Sequence, residues 1–198
     1  MSPSSLPRMF FSSTEGWQEL SRVHPSVARL CLTVVIPLSL IPPAMFAFSA
    51  FAYPGGVFPV MEPALSAREV LLVAATFFLA EVAMVFLMAS IVQHIGEVGD
   101  VRPSYEDAFT FAAIAPTPLW LAPLALFVPN VWVNALILAL AWLGCVALIR
   151  HGIRPLFQTE DEDKSRLMAE FIVGAGVMAW MTLMVVLVMV MSILMGWR

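Results

Sequence analysis

Residues 70–92 read VLLVAATFFLAEVAMVFLMASIV, an apolar run with one charge, Glu81, at its midpoint. At about 1.5 Å per residue a helix of this length covers a hydrocarbon core about 30 Å thick. Alternation of period two is absent, and backbone groups in lipid must be satisfied within the segment, so the run predicts a transmembrane helix. Comparable runs occupy 30–52, 109–128, 131–149 and 171–195. The predicted fold is all-α: a polytopic bundle of five spans. Residues 1–29 precede the spans as an N-terminal segment, and 30–198 form the transmembrane domain.

Composition agrees. The 198 residues are 61% hydrophobic and only 12% charged, against about 25% in soluble domains. Net charge is −4, and the ten Lys and Arg form no basic patch, which excludes a nucleic-acid-binding surface. The expected surroundings are a lipid bilayer, with a membrane-protein partner or a second copy as the protein contact.

Lys and Arg set the direction. Five crossings place Arg8, Arg22, Arg29, Arg102, Arg150, Arg154, Lys164 and Arg166 on one side, and Arg68 and Arg198 on the other. By the positive-inside rule the N-terminus is cytoplasmic and the C-terminus lies opposite. Cleavage after Ala50-Phe51-Ala52 is the competing reading, but the leader is long and Pro37, Pro42 and Pro43 interrupt its apolar core.

The flanking segments have simpler readings. Thr14 can cap a short helix with Trp17 and Leu20 on one side, expected to lie at the cytoplasmic interface and to stop near Pro25. Pro129 and Asn130 alone separate spans three and four, which forces a tight antiparallel hairpin. The acids Glu160, Asp161, Glu162 and Asp163 precede span five, where they suit its N-terminal dipole. Gly174 and Gly176 are expected to allow close helix packing. Cys31 and Cys145 read as free thiols facing a reducing side.

Two spans are broken by proline: Pro37, Pro42 and Pro43 in the first, and Pro116, Pro118 and Pro123 in the third. Each proline frees the carbonyl four residues before it. Residues 37–46 and 118–127 also align at six of ten positions, a short parallel echo of the kind that can flank a transport site.

Glu81, Ser39 and Thr117 each fall near the centre of a span and form the candidate functional polar site. A charged carboxylate at the midplane is disfavoured, so Glu81 is expected neutral and donating to a freed carbonyl, that of Ser39 or Ile114. Interhelical packing is the plain reading, and a proton- or cation-coupling role is the functional one. His94 and Glu97, with His151, are candidates at the cytoplasmic face. A divalent metal would need these groups to converge. No nucleophile–base arrangement, zinc spacing or Gly-rich phosphate loop occurs, so neither enzyme activity nor a cofactor is expected.

Several segments together resemble the Yip domain family of multispan membrane proteins: Gly16-Trp-Gln-Glu-Leu20 with Pro25, Ile36-Pro-Leu-Ser-Leu-Ile-Pro42, Arg102-Pro-Ser-Tyr105 and Ala115-Pro-Thr-Pro-Leu119. The resemblance implies five spans and a role in membrane organisation or partner binding. Eukaryotic members are associated with vesicle trafficking and Rab-type GTPases. The Asp-Leu-Tyr-Gly-Pro motif of those members is missing here, so the resemblance points to the bacterial inner-membrane branch. The alternative function is a small proton- or cation-coupled transporter using Glu81.

Overall fold

The computed structural model describes residues 15–54 and 65–196. Thr14, Arg8 and Arg198 lie outside these residues. Helix α1 (Glu15–Val23) is followed by five helices long and apolar enough to cross a membrane: α2 (Val27–Ala52), α3 (Ala67–Val98), α4 (Tyr105–Phe127), α5 (Val131–Phe157) and α6 (Glu162–Gly196). No strand occurs among the described residues. The fold is an all-α multispan bundle.

Several helix starts are set by side chains. Ser66 and Glu69 form a reciprocal capping box at α3, with Ser66 N–H donating to Glu69 Oε2 at 2.7 Å. Ser104 begins α4 by accepting from Asp107 N–H at 3.1 Å, while its hydroxyl donates to the Asp107 carboxylate at 2.6 Å. Asn130 closes the predicted hairpin: its side-chain oxygen accepts from Trp132 N–H and Val133 N–H at 2.9 and 3.2 Å. At α6, Asp161 accepts from Lys164 N–H at 3.1 Å, so one of the acids does serve the helix start.

The prolines leave α2 and α4 segmented. Helix α2 passes through a π-helical turn at Cys31–Val35, then α-helix at Ile36–Ser39 and Ile41–Ala52. Helix α4 runs as α-helix over Tyr105–Ile114 and Thr117–Leu121, then tightens to 3-10 helix over Ala122–Phe127. Leu40, at the turn in α2, and Leu121, the last residue before the 3-10 segment of α4, are aligned positions of the echo. Their backbone angles are nearly equal, φ −76° and ψ −22° against φ −83° and ψ −25°. One hydroxyl takes up a carbonyl that proline frees: Thr117 Oγ1 donates to that of Ile114, four residues before Pro118, at 2.7 Å. Ser39 Oγ donates to the Val35 carbonyl of its own helix at 2.6 Å.

Burial orders the bundle. The apolar window of α4 is 67% buried and that of α6 only 6%. Helix α4 is therefore the centre, against α2, α3 and α5, whereas α6 rests on α3 and α5 from outside. The outward faces, such as Leu79, Leu87, Leu140 and Val185, are apolar, as lipid contact requires.

Two cores hold the end of the bundle where the arginines gather. In one, Trp17 packs on Phe111 with ring centroids 5.5 Å apart, and Phe111 on Phe157 at the same spacing. Trp17 fits because Gly152 has no side chain: a Cβ there would lie 2.8 Å from the indole. The other core joins Leu30, Val35, Val85, Phe109 and Trp120. The face of α1 expected to rest on the lipid interface is thus turned onto protein, with Trp17 fully buried and Leu20 nearly so. Apolar burial explains this choice, since α5 and α4 offer a fitted aromatic pocket and the interface offers half-wet contact.

Candidate functional site

Helix α6 stands away from α4, and a cavity of about 340 Å³ opens between it and the other spans. Its wall includes residues of all five membrane helices: Pro42 of α2, Glu81 of α3, Trp120 of α4, Trp142 of α5, and Trp180 and Leu183 of α6. The volume lies at the small end of the range for small-molecule sites. Gly176 also borders the space. A Cβ on Gly174 or Gly176 would meet nothing within 4 Å, so the expected close packing at these glycines does not occur. Gly176 faces the gap between α6 and the bundle, and Gly174 is exposed.

Glu81 is 6% exposed, and its Oε2 is buried with no hydrogen-bond partner. The carbonyl of Ile114, one of its expected acceptors, instead accepts from Thr117. An unsatisfied polar atom inside an apolar wall costs about 1–3 kcal/mol. Asn134, another polar group at the wall, is occupied: its amide donates to the Val128 and Asn130 carbonyls at 2.9 and 2.8 Å. No Lys, Arg or His borders the cavity among the described residues.

The candidate residues divide by position. Ser39 and Thr117 are buried and bonded within their own helices, and neither borders the cavity. Pro42, Pro43, Pro116 and Pro123 do border it, while Pro118 packs against Gly144 and Pro37 is exposed. His94 and Glu97 meet at 3.5 Å on an exposed surface, and His151 Nδ1 bonds the Ala147 carbonyl at 2.7 Å. Among the described residues no three His, Cys, Asp or Glu side chains form a metal-binding group. Cys31 and Cys145 are both free, and Cys145 reaches the cavity wall.

Sequence reading did not foresee the two tryptophans. Trp142 and Trp180 meet edge to face with centroids 5.7 Å apart, and both border the cavity. Helices α3 and α6 run antiparallel, and a Cβ on Gly96 would face Met168. Counting along both helices from there puts Trp180 within about one helical turn of the level of Glu81. A tryptophan in the middle of a span, rather than at its rim, was the available signal.

The surrounding architecture has its own fastenings. His24, at φ 39°, ends α1 and pairs with Asp107 at 3.0 Å, tying α1 to the start of α4. Gly96 of α3 admits the Pro103 ring, to which a Cβ would come within 2.4 Å. The residues that carried the family resemblance therefore build joints: Trp17 and Leu20 in a core, Pro103 against α3, Ser104 as a cap.

No curated protein and no solved structure matches this chain. A family model, that of the Yip1 domain, matches residues 8–183 and so takes in α1 to α5 and much of α6. With that match over most of its length, and a bundle of five membrane-length helices, the chain belongs to the Yip1 domain family.

Proposed function

We propose that this protein is a non-enzymatic integral membrane protein that organises the bilayer by receiving an apolar molecule between its spans. The family is not known for enzymatic activity. The observation that carries the reading is the cavity of about 340 Å³ between α6 and the other spans, walled almost wholly by apolar side chains. An apolar lining of this extent offers an aliphatic molecule dispersion contacts with all five membrane helices.

A photoreactive aliphatic probe, an alkyl diazirine, tests this in nanodiscs. Met84, Met88 and Met184 border the cavity, whereas Met178 and Met189 face outward. Saturable labelling around the first three, against linear labelling around the other two, is the expected result. Linear labelling at all five would end the proposal.

A second reading is a proton- or cation-coupled carrier using Glu81, and the missing partner of its Oε2 favours it. Glu81→Gln separates the two: a folded variant that loses pH-dependent flux in liposomes is a carrier, and unchanged flux removes that role. Partner binding through α1 is disfavoured, because Trp17 and Leu20 are already spent on the bundle. The distribution of Lys and Arg supports a cytoplasmic N-terminus, and the family resemblance supports a bacterial inner membrane.

A further inference from the structure

The aliphatic occupant leaves Glu81 unanswered. Glu81 borders the space, its Oε2 sealed off without a hydrogen-bond partner, and no basic side chain at the wall can supply one. A hydrocarbon would fill the space and leave the carboxyl bare. A hydroxyl would give the carboxyl one bond. A protonated amine would give it a charge-assisted bond, which is about twice as strong.

The rest of the wall favours the amine. Trp142 and Trp180 lie close to the level of Glu81, and Trp120 and Phe77 border the same space. Aromatic faces carry negative potential and attract an ammonium group, most strongly when it is desolvated. Methionine thioethers at Met84 and Met184 add polarisable surface. A lone acid among aromatic rings is suited to a cation, while a neutral alcohol gains nothing from the rings. Because the acid and the ammonium ion neutralise one another, the occupied site carries no net charge inside the bilayer.

We infer that the cavity binds a lipophilic amine, its nitrogen bonded to the Glu81 carboxylate beside Trp142 and Trp180 and its chain extending along α6. This deepens the reading above and rests on it: the cavity is the same, and the amine specifies its occupant. Gly176 borders the space, and a Cβ there would touch nothing, which leaves room for the chain beside α6.

The test uses the full-length protein in nanodiscs of zwitterionic lipid. The probes are an alkyl diazirine carrying a primary amine and its matching alcohol, with dodecylamine and dodecanol as competitors. The expected result is saturable labelling of the segments 77–92 and 172–187 by the amine probe. Dodecylamine should displace it at a concentration about tenfold lower than dodecanol, after correction for partitioning into empty discs. Glu81→Gln should weaken amine labelling about tenfold and leave alcohol labelling unchanged.

Trp180→Leu gives a second measure that does not depend on the carboxyl, and should cost amine affinity several-fold more than alcohol affinity. If Glu81→Gln unfolds, the Trp180→Leu comparison alone decides. Equal competition by amine and alcohol would overturn the inference while the cavity reading stands. Absence of saturable labelling by either probe would overturn both.

Discussion

Glu81 and Gly152 show how much one position can hold in this bundle. The Glu81 carboxyl is buried without a bond, so its removal should cost the fold nothing. Glu81→Leu is expected to raise stability by about 1–3 kcal/mol, read as a higher unfolding midpoint in mild detergent. A loss of stability would instead mean that the carboxyl is packing glue. Gly152 makes the opposite case. A Cβ there meets the Trp17 indole at 2.8 Å and the Phe111 ring at 3.0 Å, and both rings are fully buried. Gly152→Ala should therefore cost about 1–3 kcal/mol through overpacking, measured in the same unfolding experiment.

Among the elements, the capped and the broken helices obey different rules. Helix α3 starts at a capping box whose geometry needs only Ser66 and Glu69, so Ser66→Ala should lower stability by about 1 kcal/mol. The expected signature is faster amide exchange confined to the first turn of α3. Helices α2 and α4 are segmented by proline, and the Ile114 carbonyl that Pro118 frees is met by Thr117, while Ser39 bonds the Val35 carbonyl. Thr117→Val keeps the volume and removes the hydroxyl. Its cost of about 1 kcal/mol should appear at the Thr117–Leu121 turn rather than across the bundle. The two spans break differently: α2 turns at Leu40, whereas α4 leaves the α-helix at Ala115 and Pro116 and tightens after Leu121.

At the scale of the molecule, α1 and α6 are the attached and the loosely held elements. Trp17 anchors α1 in the largest core, and His24 ties its end to Asp107. Trp17→Ala should cost about 3–5 kcal/mol, the range for emptying an aromatic core site. It should release α1 to protease before the spans unfold. Helix α6 buries little and leaves a cavity behind it. At about 1.5 Å per residue its 35 residues exceed a hydrocarbon core of about 30 Å, so its first turns project at the arginine-bearing end or the helix tilts. The topology proposed from the Lys and Arg distribution puts the two ends of α2 on opposite faces of the bilayer. Single cysteines at Arg29 and Ser66, in a background lacking Cys31 and Cys145, should react with an impermeant maleimide from opposite sides of a sealed vesicle.

What the chain determined alone was everything set by the length and polarity of local runs. Five apolar stretches bounded by charge follow from backbone satisfaction in lipid, which leaves no alternative to helix, and the tight hairpin at Pro129 and Asn130 follows from its length. The single carboxyl at 81 was equally plain, because charge in such a run is rare. Partners were not legible. That Glu81 is left without an acceptor, that Thr117 turns to its own helix, that Trp17 leaves the interface for Gly152, and that Trp142 meets Trp180 all depend on which faces the helices present to each other. Helix packing in a bilayer lacks a hydrophobic drive between spans and is chosen by shape across distant segments. Only the assembled bundle decides it, and with it the cavity.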